Sequence, residues 1–157
     1  MCGTTVREDI MRVILNEPKG ENYKELIELA FDKCDTFLFI KHSQLTYYQS
    51  FDILLGELKD DFICNKEQSE WPGTISVPTA TVYYFRTSKK SRERIKNITD
   101  SLFNWQAPYL PEDLCFLQNN KEWLVTTAHA QYCHILTENQ FEIQQLQEIN
   151  ELIERID

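Results

Sequence analysis

Two short basic turns hold the residues whose types and spacing best suit chemistry, and the chemistry would be anion binding. The first is Lys41-His42-Ser43 and the second is Arg86-Thr87-Ser88-Lys89-Lys90-Ser91-Arg92. Each follows an apolar, strand-like run and precedes a helix-like pattern. Lysines and arginine in a first helical turn oppose the helix dipole, which favours acids there. A bound anion would offset that penalty, and the free backbone N–H groups of a helix start point toward one. If the two strands are parallel neighbours, both turns lie at the carboxyl edge of the sheet, where open α/β sheets bind ligands. The predicted site is therefore Lys41, His42, Thr87, Ser88, Lys89, Lys90 and Arg92. Neither a glycine-rich loop nor a Walker pattern accompanies it. The competing reading is a solvated basic face on a surface helix.

Cys115, His129, Cys133 and His134 are zinc-ligand types, yet no Cys-x-x-Cys pair exists. Cys133 and His134 are adjacent, and neighbours on a strand point to opposite faces. No metal and no cofactor are expected. A cysteine nucleophile, Cys115 or Cys133 activated by His129 with Asp113 as orienter, is met by composition only. Buried, inert thiols are the simpler account. Glu112-Asp113 could be paired carboxylates, but neighbouring acids ahead of a strand read more simply as solvated turn formers. No catalytic residue is assigned.

The elements that must position these groups follow from periodicity. Helices are expected at about 6–15, with Thr5 and Glu8 as a capping box, and at about 23–33, where Tyr23, Leu26, Ile27, Ala30 and Phe31 form one stripe. Further helices are expected at about 47–61, 89–104 and from Thr137 to the C-terminus. Thr36–Lys41 reads as a strand buried on both faces. Thr79–Arg86, Leu114–Gln118, Trp123–Thr127 and Tyr132–Leu136 read as further strands, with Asn119-Asn120 as a turn tolerating positive φ. Residues 64–78 read as the longest irregular stretch. Within it, Trp71-Pro72-Gly73 either presents an aromatic anchor or folds back over the sheet edge. Tyr83-Tyr84-Phe85 is better explained by strand packing than by base stacking. The order ααβαβαβββα gives a mixed α/β (α+β) domain, a five-stranded sheet with about five packed helices, parallel in its first half.

The whole 157-residue chain fits one globular domain. Five cysteines at irregular spacing do not form a disulfide framework. No apolar run reaches membrane-spanning length, and the N-terminus lacks a signal-peptide pattern. A cytoplasmic location without membrane contact is therefore expected. The net charge is −9, with +5 concentrated in 86–96 and −14 on the remainder. That balance disfavours duplex nucleic acid. The acids of the terminal segment, Glu138, Glu142, Glu148, Glu151, Glu154 and Asp157, read as a solvated face that could also receive a basic protein.

Leu110-Pro111-Glu112-Asp113-Leu114-Cys115-Phe116, followed by Trp123-Leu124-Val125-Thr126-Thr127-Ala128-His129, resembles a family of small soluble proteins from Bacillus and its relatives. Some members of that family carry the label stage III sporulation protein AH. The family pattern has Ser-His-Glu where this chain has Ala128-His129-Ala130. The resemblance implies a bacterial source and brings no chemistry or site residue. The expectation for function is a non-enzymatic protein-interaction or regulatory domain, of immunity type, with a basic protein partner. The alternative is a phosphate- or small-anion-binding domain, an enzyme among its forms, using the two basic turns.

Overall fold

The computed structural model of the chain describes residues 10–156. Its strands are β1 (Ile10–Ile14), β2 (Thr36–His42), β3 (Phe62–Trp71), β4 (Thr74–Arg86), β5 (Glu112–Gln118), β6 (Lys121–Thr127), β7 (Tyr132–Leu136) and β8 (Leu152–Ile156). The helices are α1 (Glu21–Lys33), α2 (Gln49–Glu57), α3 (Lys89–Ile98) and α4 (Gln140–Ile149). The eight strands form one sheet in the order β3-β4-β2-β5-β6-β7-β1-β8. Every pairing in it is antiparallel.

The α/β class of the expectation holds, while the count and direction of strands do not. Ile10–Ile14 is a strand between β7 and β8 rather than the end of a helix; residues 6–9 of that predicted helix lie outside the described residues. The apolar positions Ile10, Val13 and Ile14 fall at helical spacing, and pairing with the neighbouring strands overrides it. The C-terminal helix stops at Ile149, and Leu152–Ile156 turns back to pair with β1. The stretch 64–78 is a long hairpin, β3 and β4. Its polar run Asn65 to Glu70 gives no apolar alternation because β3 is an edge strand, exposed along most of its length. Pro78, which argues against a strand, falls where the β3–β4 register skips between Gln68 and Glu70. This hairpin also overturns the parallel expectation, since it lets β4 return beside β2 antiparallel.

Phe37-Leu-Phe-Ile alternates across the sheet, buried on both sides as expected. Phe37 and Phe39 join the helix-covered core with Phe85, Phe116, Leu26 and Leu146. The Phe37 and Phe85 rings stack at 5.1 Å. All four helices contribute to this side. Leu38 and Ile40 face the other side, with Val82, Cys115 and Val125. Among the described residues no helix covers that second face; Trp71 does, and it is buried. The hairpin turn reaches across to β6, so closely that a Cβ on Gly73 would lie 2.9 Å from Val125 Cγ1. Gly73 also has φ 83°, a conformation that favours glycine. Of the two readings of Trp71-Pro72-Gly73, folding back is the one realised. Among the described residues, no helix is long and apolar enough to cross a membrane.

Candidate functional site

Antiparallel pairing separates the two basic turns. Thr36 pairs with Arg86 and His42 with Ala80. Lys41-His42 and Thr87–Arg92 therefore sit at opposite ends of β2 and β4, about 20 Å apart at 3.4 Å per residue. The shared anion edge is not formed.

The protein's own acids meet the second turn. Ser88 caps α3 in a reciprocal pair with Ser91, and its hydroxyl donates to Asp61. Thr87 Oγ1 donates to the Cys34 carbonyl at 2.8 Å. Lys90 pairs with Asp60 at 3.1 Å, and this contact holds the Asp60 carboxyl below its ordinary range. Arg92 reaches Glu28 and Glu93, Arg94 reaches Glu57, and Lys96 reaches Glu28. Lys89 is exposed. The cations that oppose the α3 dipole are largely balanced from within.

A different convergence forms at the other end. The carboxyl end of β2, the start of β5, the end of β6 and the β3–β4 turn all meet there. Glu112 and Asp113 open β5 but are not solvated: they are 5% and 2% exposed. Glu112 Oε1 accepts from the Ala107 backbone N–H at 2.6 Å and from the Tyr47 hydroxyl at 3.1 Å. Asp113 Oδ1 accepts from the Ala128 N–H at 2.9 Å. Asp113 has φ 56°, a left-handed geometry that Asp adopts more readily than most residues. Burial pushes Asp113 up to about 6, against the pull of the Ala128 bond and of His129 and His42. Glu112 is raised by burial too, against bonds from Ala107 and Tyr47 and the pull of His129. Burial also raises Tyr47, whose hydroxyl accepts from the His42 N–H at 3.1 Å.

This acid pair is closed to solvent, and its neighbours include Tyr47, bonded to Glu112, and His42. Both line a cavity of about 530 Å³ together with Lys41, Phe51, Asp52 and Tyr83. Lys41 Nζ lies 5.1 Å from the Phe51 ring centre. The turn-former reading of Glu112-Asp113 was incomplete. Its left-handed Asp113 is a turn feature, but the turn is sealed by α2's lead-in and by Ala128. The two segments that carry the family resemblance touch here, through the Asp113–Ala128 bond. Tyr47, read only as a helix residue, carried no sequence signal for this role.

On the far side of α2 lies a groove of about 670 Å³ bordered by Ile53, Arg94, Ile98, Tyr109 and Leu110. Between the two concavities stands an apolar ridge. Leu45, Tyr48, Ile53 and Tyr109 are 46%, 52%, 54% and 65% exposed. Tyr48 and Tyr109 meet edge to face at 5.0 Å, and Ser50 fixes the Tyr109 carbonyl at 2.6 Å.

The cysteine chemistry does not assemble. Cys115 belongs to the second face and Cys133 to the helix-covered one, with the sheet between them. Burial drives the Cys133 thiol up to about 12 and raises Cys115 further. His129 is exposed, while His134 is buried beside the Tyr132 ring. Among the described residues no group of His, Cys, Asp and Glu could hold a metal ion. Tyr83 and Phe85 pack on the helix side and Tyr84 on the other, as strand packing requires. The terminal acids are not one solvated face: Glu142 is buried, accepting from Trp123 Nε1 at 2.8 Å and from Thr137 at 2.6 Å. Comparison with protein-family models, with curated proteins and with solved structures yields no significant match.

Proposed function

We propose that this chain is a protein-interaction domain that docks a partner on the ridge around α2. The observation that carries this reading is the exposed set Leu45, Tyr48, Ile53 and Tyr109, flanked on both sides by concave surface. Aromatic anchors beside pockets, with an arginine near, are the usual composition of an interface centre. Here Arg94 is that arginine, tied to Glu57 at 2.9 Å. The thiols offered as nucleophiles are sealed and protonated. Charge narrows the partner. Four of the six cations in the basic segment 86–96, Lys90, Arg92, Arg94 and Lys96, already have acids, so the surplus behind the net −9 lies elsewhere on the surface. A basic protein would be steered toward it. A small acidic domain that neutralises or regulates a basic protein, as immunity proteins do, fits these properties.

The test compares wild type, Tyr48→Ala/Tyr109→Ala and Phe141→Ala in recovering partners from a native lysate. A stoichiometric partner held by wild type and Phe141→Ala should be lost by the double variant, since truncating two anchors costs roughly 100-fold or more. Equal retention by all three would refute the ridge as the docking surface.

A further inference from the structure

We propose that the cavity floored by Phe51 binds a small molecule that carries one carboxylate on a flat apolar body. This goes beyond partner docking: it shares Leu45 and Tyr48 with the ridge but turns on Lys41, which the ridge does not use. The cavity, about 530 Å³, has the size of an ordinary small-ligand site. Its cation is Lys41, held over the Phe51 ring and making no ion pair among the described residues. That sets it apart from Lys90, Arg92, Arg94 and Lys96, each of which already has an acid. His42, the next residue on β2, borders the cavity but turns its ring to the other face of the sheet, edge-on to buried Trp71 at 5.4 Å. Ser43 and Thr46 add hydroxyl donors to the same wall. A carboxylate placed at Lys41 would gain charge-assisted hydrogen bonds. Leu45, Tyr48 and Tyr83 supply apolar and aromatic surface for the body of the ligand.

Charge limits the ligand further. Asp52 lies on the wall, and Glu112 lies behind Tyr47, hydrogen-bonded to its hydroxyl. These two carboxylates near one lysine disfavour a dianion, because like charges raise the cost of each added one. A monoanionic carboxylate is selected over a phosphate dianion.

The probes are phenylacetate, its neutral isostere phenylacetamide, phenyl phosphate and inorganic phosphate, titrated into the full chain at constant ionic strength and followed by amide NMR shifts. Phenylacetate should saturate with a Kd on the order of 1 mM, as expected for a fragment of this size. Shifts should concentrate at residues 41–52 and 81–83. The amide and both phosphates should bind at least 10-fold more weakly. Lys41→Met should abolish saturation, Lys41→Arg should retain it within a few-fold, and Lys89→Ala/Lys90→Ala should leave it unchanged. Equal binding of the amide, tighter binding of either phosphate, saturation surviving in Lys41→Met, or no saturable response to phenylacetate by about 20 mM would each overturn the proposal.

Discussion

Replacing Asp113 with Asn should stabilise the protein at neutral pH and leave it nearly unchanged in acid. Asp113 is 2% exposed, and burial lifts its carboxyl from an ordinary 3.8 to about 6. A group whose pKa is raised on folding favours the fold while protonated. That contribution is complete below pH 3.8 and is lost as pH rises through about 6. The difference of two pH units corresponds to about 3 kcal/mol at pH 7.5. Asn removes the charge but keeps an oxygen to accept the Ala128 N–H, and it tolerates φ 56°. Urea unfolding at pH 4.0 and 7.5 should show Asp113→Asn within about 0.5 kcal/mol of wild type at the lower pH. At the higher pH it should be more stable by up to about 3 kcal/mol, or roughly 6–12 °C in Tm for a chain of this length. An equal loss at both pH values would refute the reasoning, because the acid would then serve as a hydrogen-bonding group alone. The predicted gain also implies that an ionisable group at this position is not there for stability.

Gly73→Ala should destabilise by about 1–3 kcal/mol in thermal melts, since the added methyl meets buried Val125 at 2.9 Å from a backbone with φ 83°. Trp71→Ala should cost about 3–5 kcal/mol by uncovering the second face, and should move amide signals on β6 as well as on the hairpin. Glu142→Ala should cost about 1–3 kcal/mol by leaving the buried Trp123 indole unpartnered. Burial pushes Glu142 up, but Thr137, Trp123, Gln118 and Lys33 more than offset it and leave its carboxyl lowered. The Glu142 contribution is thus present above its unfolded pKa and lost as pH falls through the folded one, so the wild-type advantage should shrink in acid. In a Cys2→Ser background, a disulfide reagent should label native protein rapidly at Cys64 on the edge strand and only slowly at Cys34, Cys115 and Cys133. Rapid labelling of a second thiol, counted by mass, would contradict that.

Much of the helix-covered core was legible in sequence. The stripe at Tyr23, Leu26, Ile27, Ala30 and Phe31 has only one solution, and Phe37 to Ile40 is too short and too apolar for anything but a central strand. Asn119 and Asn120 both take positive φ at the turn they mark. The missed strands share a physical cause. β1 and β8 are five residues each, and β3 is a polar edge, so none shows the alternation that a half-buried strand displays. The charged turns were visible, but their grouping depended on strand direction, which periodicity does not encode. Two of the seven predicted residues, Lys41 and His42, line a cavity; Ser88, Lys90 and Arg92 meet Asp61, Asp60, Glu28 and Glu93 instead. Glu112 and Asp113 escaped because their burial comes from Tyr47, Ala107 and Ala128, contacts with no local signature.

The ridge around α2 is tested most directly by position-specific photo-crosslinking in cells. Benzoylphenylalanine is placed at Tyr48, at Tyr109, at exposed Phe141 and at exposed Glu148, one site per variant. Partner docking on the ridge predicts one discrete adduct, of the same added mass, from positions 48 and 109 and none from 141 or 148. Adducts of equal yield at all four positions, or only at 141 and 148, would contradict it.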